Sequence, residues 1–113
     1  MCTKNELNSI LQKLTQIYRS VYGEKLVQVI LYGSYARGDY HTDSDVDVVA
    51  IVHGDRKTLQ QQLKKVWDSS CELELEYDTI LSPTVIPYDE FKQYQTDLPY
   101  YRNISQEGVV ISA

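Results

Sequence analysis

Two short runs of β-branched and aromatic residues constrain the fold of this chain more than any other feature. They are Lys25 to Tyr32 (KLVQVILY) and Asp45 to Val52 (DVDVVAIV). Runs of this length and composition are typical of buried β-strands, whereas helical segments are usually longer. The sequence therefore predicts two strands, and the polar connection between them begins at Gly33-Ser34.

Helical periodicity flanks these two strands. Thr3-Lys4-Asn5-Glu6 fits a capping box, and the apolar residues that follow it recur at helical spacing as far as Val21, before Gly23. A brief helical stretch is predicted between the strands, up to Ala36. A longer helix is predicted over Arg56 to Asp68, with one apolar side that should enter the core. That side consists of Leu59, Leu63, Val66 and Trp67.

The last third of the chain predicts short elements. Glu72 to Leu81 alternates acidic and apolar residues, which predicts the third strand. Prolines at 83 and 87 interrupt the pattern after it. Short helices are predicted over Tyr88 to Tyr94 and Leu98 to Glu107, and a small strand or extended tail over Gly108 to Ile111.

This order of elements predicts an α/β or α+β fold. One small mixed sheet is expected, with helices packed mainly on one face, because the connections are too short for a doubly wound sheet of ordinary size. The length of 113 residues predicts a single domain, residues 1–113, with a self-supporting core.

Composition and charge exclude several classes of function. The net charge of −5 argues against a protein that grips nucleic acid through its phosphates, because such proteins present a basic face. No apolar run approaches the ~20 residues that cross a bilayer, and the N-terminus lacks an export signal, so no membrane partner is expected. The two cysteines, Cys2 and Cys71, are interpreted as plain thiols, which favours a cytoplasmic protein.

The acidic residues at the start of the second predicted strand are candidates for metal binding. Side chains alternate between the faces of a strand, so Asp45 and Asp47 should protrude together while Val46 and Val48 enter the core. Two carboxylates this close repel each other unless solvent or a cation relieves them, and magnesium is the first candidate. The alternative interpretation is that Asp45 and Asp47, with Asp43, only cap the strand entrance in water.

The Gly-Ser pair favours metal binding by Asp45 and Asp47 over the alternative that they only cap the strand entrance. Gly33 ends a buried strand, and the absence of a Cβ permits an unusual φ angle and close approach of a phosphate. Ser34 adds a hydroxyl beside backbone N–H groups, which are suited to phosphate oxygens. A phosphate-binding turn ten residues before a metal-binding Asp-x-Asp predicts a site for a nucleoside triphosphate.

The string Gly33-Ser34-x10-Asp45-x-Asp47 resembles the signature of the DNA polymerase β-like nucleotidyltransferase superfamily. The fuller runs GSYARGD (33–39) and SDVDV (44–48) most resemble the minimal nucleotidyltransferases, which are usually encoded beside a HEPN-domain partner as toxin–antitoxin pairs. The order of elements supports the resemblance over roughly Thr3 to Leu81, and the segment 98–108 is also similar, though less specifically. The resemblance implies a polymerase β-like fold.

The resemblance also implies a third carboxylate on the third strand. Periodicity alone leaves four candidates on one face of Glu72 to Leu81, namely Glu72, Glu74, Glu76 and Asp78. The family pattern favours Asp78, with Glu76 as the alternative. In the implied mechanism, Asp45, Asp47 and Asp78 would hold two Mg²⁺ ions.

The nucleotide contacts follow from the same resemblance. Gly33 and Ser34 would donate to the β- and γ-phosphate oxygens. Arg37 would neutralise phosphate charge, although a surface or ion-pairing role for this arginine is equally open. The implied reaction transfers AMP from ATP to a tyrosine hydroxyl of a HEPN RNase toxin and so silences it.

Two alternatives to this protein adenylyltransferase stay open. The first is a non-catalytic antitoxin that neutralises its partner by contact. The second is a small-molecule nucleotidyltransferase of the aminoglycoside type. Relatives of the second kind generally carry an additional substrate-binding domain. An oligomer remains open as well.

Overall fold

The computed structural model describes residues 4–40 and 44–112. The predicted roles of Thr3 in the capping box, Asp43 at the strand entrance and Cys2 as a thiol therefore lie outside the described residues. The helices are α1 (Lys4–Tyr22), α2 (Ser34–Arg37), α3 (Arg56–Tyr77), α4 (Tyr88–Tyr94) and α5 (Pro99–Glu107), and a 3₁₀ turn covers Gly23–Lys25. The strands are β1 (Leu26–Tyr32), β2 (Val46–Val52), β3 (Leu81–Pro87) and β4 (Val109–Ser112).

The strands form one mixed sheet with the order β3-β2-β1-β4. β1 runs antiparallel to both β2 and β4, whereas β2 and β3 are parallel. In this register Asp47 of β2 lies between Tyr32 of β1 and Ser82 of β3. The central strands β1 and β2 are the two runs that the sequence predicted.

The two faces of the sheet carry separate parts of the core. The long helices α1 and α3 pack against one face, where the buried residues include Val46, Val48 and Ala50 of β2. The short helices α4 and α5 cover the other face, against Val49 and Ile51 of the same strand. Side chains of β2 therefore alternate as predicted. The predicted α/β fold with a small mixed sheet is confirmed, with the long helices on one face.

The predicted strand over Glu72 to Leu81 is wrong. Residues 72–77 are the last turns of α3, and the third strand begins only at Leu81. Alternating Glu and Leu matches the two-residue period of a strand, but both residues also have high helix propensity, so the same run is compatible with a helix. Burial separates the two readings, because Leu73 is buried while Leu75 is 86% exposed. The segment follows the helical period that also buries Val66 and Ser70.

The prolines that appeared to interrupt a strand lie within one. β3 is an edge strand, so one row of its backbone groups faces away from β2. Proline is tolerated in such a strand where its missing N–H would have faced outward. Pro83 and Pro87 pair with Val48 and Val52 of β2 and are both buried. The third strand therefore runs through the residues that seemed to exclude it.

Trp67 is not a core residue, contrary to the prediction. Its side chain is 46% exposed on α3, and its indole Nε1 donates a hydrogen bond to the Pro83 carbonyl, 2.9 Å away. Tryptophan is well suited to this half-buried position, because its body is apolar and its N–H needs an acceptor. Among the described residues, no helix is both long and apolar enough to cross a membrane.

Candidate active site

The turn after β1 brings the backbone close to a carboxylate. Gly33 has φ 77° and ψ −155°, in a region that is essentially restricted to glycine. A Cβ atom at this position would lie 2.4 Å from Oδ2 of Asp47. The Gly33 carbonyl accepts hydrogen bonds from the N–H groups of Ala36 and Arg37, both at 3.1 Å, and these start α2. Glycine is therefore required at position 33 for two reasons: the backbone angles exclude other residues, and Asp47 occupies the space that a side chain would need.

The structure brings Asp45 and Asp47 together at the start of β2. Burial raises the pKa of Asp47 above its ordinary value, the nearby charge of Asp45 adds to the rise, and the charge of Arg37 opposes it. The Ser82 hydroxyl of β3 donates to Oδ2 of Asp45 at 3.4 Å. A divalent cation would relieve the repulsion between the carboxylates, which are the hard oxygen ligands that magnesium takes.

Arg37 lies at the end of α2, near enough for its charge to act on Asp47. Its Nε is 3.3 Å from a carboxylate oxygen of Asp39, and both side chains are largely exposed. An exposed ion pair of this kind is worth about 0–1 kcal/mol, so it does not prevent the guanidinium from turning toward an anionic ligand. The two roles that the sequence left open for Arg37 are therefore compatible.

The structure does not place Asp78 or Glu76 on a strand beside Asp45 and Asp47. Asp78 caps the end of α3 with a left-handed backbone (φ 50°, ψ 50°) and is exposed. Glu76 forms an exposed ion pair with Lys13 at 2.8 Å, and the hydrogen bond from Lys13 lowers the pKa of Glu76. Across residues 4–40 and 44–112, no three acidic, histidine or cysteine side chains cluster as metal ligands. The sequence-based reason for choosing either residue is therefore lost.

Hydroxyl groups occupy the strand where the third carboxylate was expected. Ser82 pairs with Asp47, and Thr84 pairs with Val49, so both lie along the same side of β2. β3 has the sequence LSPTVIP and carries no acidic residue. We call Ser82 and Thr84 the β3 side of the site, and Gly33 and Ser34 the turn side.

Two tyrosines that sequence reasoning did not assign to the site also border it. Tyr32 pairs directly with Asp47, and the ring of Tyr100 on α5 meets the Tyr32 ring edge-on, with centroids 6.0 Å apart. Burial raises the pKa of Tyr100, a hydrogen bond with the Thr84 side chain lowers it, and the charge of Asp47 raises it. Tyr32 directly precedes Gly33, so the sequence alone could have placed Tyr32 next to the site. Nothing local in the sequence indicates that Tyr100 also borders it.

Comparisons with known proteins place this site in a family. The model of the nucleotidyltransferase domain family matches residues 7–111. The chain is 36% identical over 80 residues to "Putative protein adenylyltransferase MJ0141" of Methanocaldococcus jannaschii, covering 71% of this chain and 79% of the relative. It is 28% identical over 107 residues to "Putative protein adenylyltransferase MJ0604" of the same organism, covering 95% of this chain and 98% of the relative.

A solved structure supports the fold. A crystal structure of a toxin–antitoxin with AMP-PNP aligns with a TM-score of 0.55 at 16% identity, covering 88% of this chain and 70% of the solved chain. At this identity the likeness concerns the fold alone. The family match spans nearly the whole described chain and includes the turn, both carboxylates and β3. The chain belongs to the nucleotidyltransferase domain family.

Proposed function

We propose that this chain is a magnesium-dependent protein adenylyltransferase that transfers AMP from ATP to a hydroxyl group of a partner protein. The observation that carries the proposal is the position of the Asp47 carboxylate, held directly over the Gly33 turn and beside Asp45. Metal ligands and a phosphate-binding turn are the two parts that nucleotidyl transfer needs, and here they are adjacent.

Asp45 and Asp47 are the residues that would hold magnesium. Their carboxylates fit the ion, because they are hard oxygen ligands two residues apart at the start of one strand, and the charge of Asp45 adds to the burial that raises the pKa of Asp47. Two carboxylates suffice where phosphate oxygens and water supply the remaining ligands, as is usual for Mg²⁺ in nucleotide sites. Bound there, the metal would supply Lewis-acid stabilisation of charge on the phosphates. Asp78 has no part in this proposal.

The turn side is proposed to hold the triphosphate. Backbone N–H groups at the start of α2, with the Ser34 hydroxyl, are donors of the kind that phosphate oxygens accept. Arg37 would turn from Asp39 to the phosphates and offset their charge. The acceptor hydroxyl then attacks the α-phosphorus from the β3 side, and pyrophosphate leaves toward the turn side.

The choice of ATP and of a protein acceptor draws on the relatives. Both archaeal relatives bear the name of protein adenylyltransferases, and the solved neighbour is a toxin–antitoxin with AMP-PNP. We therefore propose an antitoxin role, in which a tyrosine of a HEPN-domain toxin is the acceptor and the reaction takes place in the cytoplasm. The partner follows from the family resemblance of the 33–48 motif rather than from a contact in this chain.

The test is transfer of label from ATP that carries it on the α-phosphate. The chain is incubated with labelled ATP, Mg²⁺ and lysate of its host, or with the protein encoded beside it. One discrete protein band other than the chain itself should take up label. The variant Asp45→Asn/Asp47→Asn should lose it. The control Asp68→Asn/Glu72→Gln, which removes two exposed carboxylates of α3, should retain it. Absence of a labelled band with each of the four nucleotides would refute the proposal.

A non-catalytic antitoxin is the second candidate. The observation that favours it is the absence of any acidic residue on β3, which leaves two carboxylates in the described part of the site. The same double variant separates the candidates. If Asp45→Asn/Asp47→Asn still neutralises the partner at equal dose without labelling it, contact alone explains the antitoxin role.

A further inference from the structure

Tyr100 is the second residue of α5 and lies over the site. Its ring packs edge-on against Tyr32, with an interplanar angle of 90°. Tyr32 is the β1 neighbour of Asp47. The Thr84 side chain on β3 lies near enough to lower the pKa of the Tyr100 hydroxyl, and the charge of Asp47 raises it. Because β2 separates β1 from β3, the Tyr100 side chain spans the strand that carries Asp47.

The hydroxyl of Tyr100 therefore lies near Thr84 on the β3 side, opposite Val49 and two residues along β2 from Asp47, whereas the Gly33 turn lies against Asp47 itself. In a displacement at phosphorus, the nucleophile and the leaving group occupy opposite sides of the reacting atom. If pyrophosphate leaves toward the turn side, the β3 side is where an attacking hydroxyl must stand. Tyr100 already places a phenol there.

Exposure distinguishes Tyr100 from its neighbour on the same helix. Its side chain is 48% exposed, so a nucleotide can reach it from solvent. Tyr101 is buried, and its hydroxyl is engaged with Glu90 and Arg56 at 3.0 Å each. The two adjacent tyrosines thus have different roles: Tyr101 ties α5 to α3 and α4, whereas Tyr100 packs on Tyr32, the β1 neighbour of Asp47.

We propose that Tyr100 is a self-modification site, to which the chain transfers AMP from ATP. The inference rests on the proposed function and names an acceptor for the same site within the chain itself. A bond forms between the Tyr100 oxygen and the α-phosphorus, the bond from that phosphorus to the oxygen bridging it to the β-phosphorus breaks, and pyrophosphate leaves. The phenolic proton passes to water on the exposed side. The products are adenylyl-Tyr100, pyrophosphate and one proton.

One consequence concerns the partner reaction. An adenylyl group on Tyr100 would lie beside Asp45 and Asp47, in the space that the next ATP and the partner hydroxyl need. Self-modification would therefore stop at one AMP at this position and lower transfer to the partner. The chain would limit its own activity when no acceptor protein is present.

The test uses the full chain with Mg²⁺ and ATP and reads intact mass, followed by mapping of the modified peptide. One adenylyl group is expected, on Tyr100. Tyr100→Phe keeps the ring that packs on Tyr32 and removes only the hydroxyl, so self-labelling should fall at least ~10-fold. Tyr94→Phe, on the neighbouring helix α4, is the matched control and should label as the wild type does.

A mixing experiment shows whether the transfer occurs within one chain. Asp47→Asn, which keeps Tyr100, is incubated with Tyr100→Phe, which keeps Asp47. Transfer within one chain predicts no label on either protein. Label on the Asp47→Asn chain would show transfer between chains and overturn the geometric argument.

Two further outcomes separate this inference from the proposed function. If a partner protein is labelled while the chain is unmodified, or is modified elsewhere, the self-modification is refuted and the proposed function stands. If neither a partner protein nor the chain takes up label with any of the four nucleotides, both are refuted, and the melting temperature with Mg²⁺ and ATP then shows whether the nucleotide still binds.

Discussion

The substitution Gly33→Ala should damage the proposed site by moving one carboxylate. The new Cβ would lie 2.4 Å from Oδ2 of Asp47, closer than real Cβ atoms approach other atoms, so the carboxylate must move by about 1 Å to restore ordinary contact. The backbone angles, φ 77° and ψ −155°, add strain of about 1–3 kcal/mol for a residue with a side chain. The variant is therefore expected to be both less stable and misaligned.

The expected effects follow from those two terms. For a domain of 113 residues, a loss of 1–3 kcal/mol lowers the melting temperature by roughly 4–12 °C. A catalytic group that is misplaced by up to 1 Å costs on the order of 10²-fold in rate. Thermal unfolding measures the first effect, and transfer of labelled AMP below the melting temperature of the variant measures the second.

Gly23→Ala provides the matched control. Gly23 also has a positive φ, 61°, but a Cβ there meets no atom within 4 Å. It should lose stability through backbone strain alone and keep the wild-type transfer rate. If Gly33→Ala transfers AMP within about threefold of Gly23→Ala at a matched folded fraction, less than ~1 kcal/mol of transition-state stabilisation depends on the contact. The reasoning that Asp47 is fixed by the turn would then be refuted.

Three further predictions concern charge and the corrected helix. The raised pKa of Asp47 means that its ionised form costs stability as pH rises above the ordinary carboxyl range, so Asp47→Asn should melt higher than wild type at neutral pH without Mg²⁺. An equal or lower melting temperature contradicts this. Ser82→Asp adds a carboxylate beside Asp45 and Asp47 and should strengthen Mg²⁺ binding in calorimetry, whereas Ser82→Asn should not. Leu73→Ala should cost about 2–4 kcal/mol in denaturant unfolding, whereas Leu75→Ala should change stability by less than ~0.5 kcal/mol; equal losses would contradict the helix.

The turn and the carboxylate pair were predictable because both are local. Gly33 could be recognised as the end of a buried strand, and the alternation of Asp45 to Ala50 assigned each side chain to a face without knowledge of the partners. The family resemblance then implied that these residues bind a nucleotide and magnesium together. The predicted central strands, α1 and the part of α3 from Arg56 to Asp68 needed no more than period and composition.

The β3 side could not be predicted in the same way. The alternating Glu and Leu residues of 72–77 satisfy two periods at once, and only packing against α1 and the sheet selects the helix. Pro83 is compatible with a strand only at a sheet edge, which is a property of strand order rather than of local sequence. Tyr100 reaches the site because α5 packs over β1, a contact between residues far apart in sequence. These are tertiary effects, and a single sequence carries little signal for them.

The two sides of the site are supported by two clusters of buried residues, and the cluster beneath the turn side is the larger one. The turn side follows β1, which is packed against α1 and lies centrally in the sheet. The β3 side consists of an edge strand and of α5, whose buried contacts belong to the smaller cluster with α4. Elements with fewer buried apolar contacts open at lower free energy than central strands. The proposed transfer to a partner protein needs fixed phosphate contacts and an acceptor side that can adjust, and this distribution of the core favours that division.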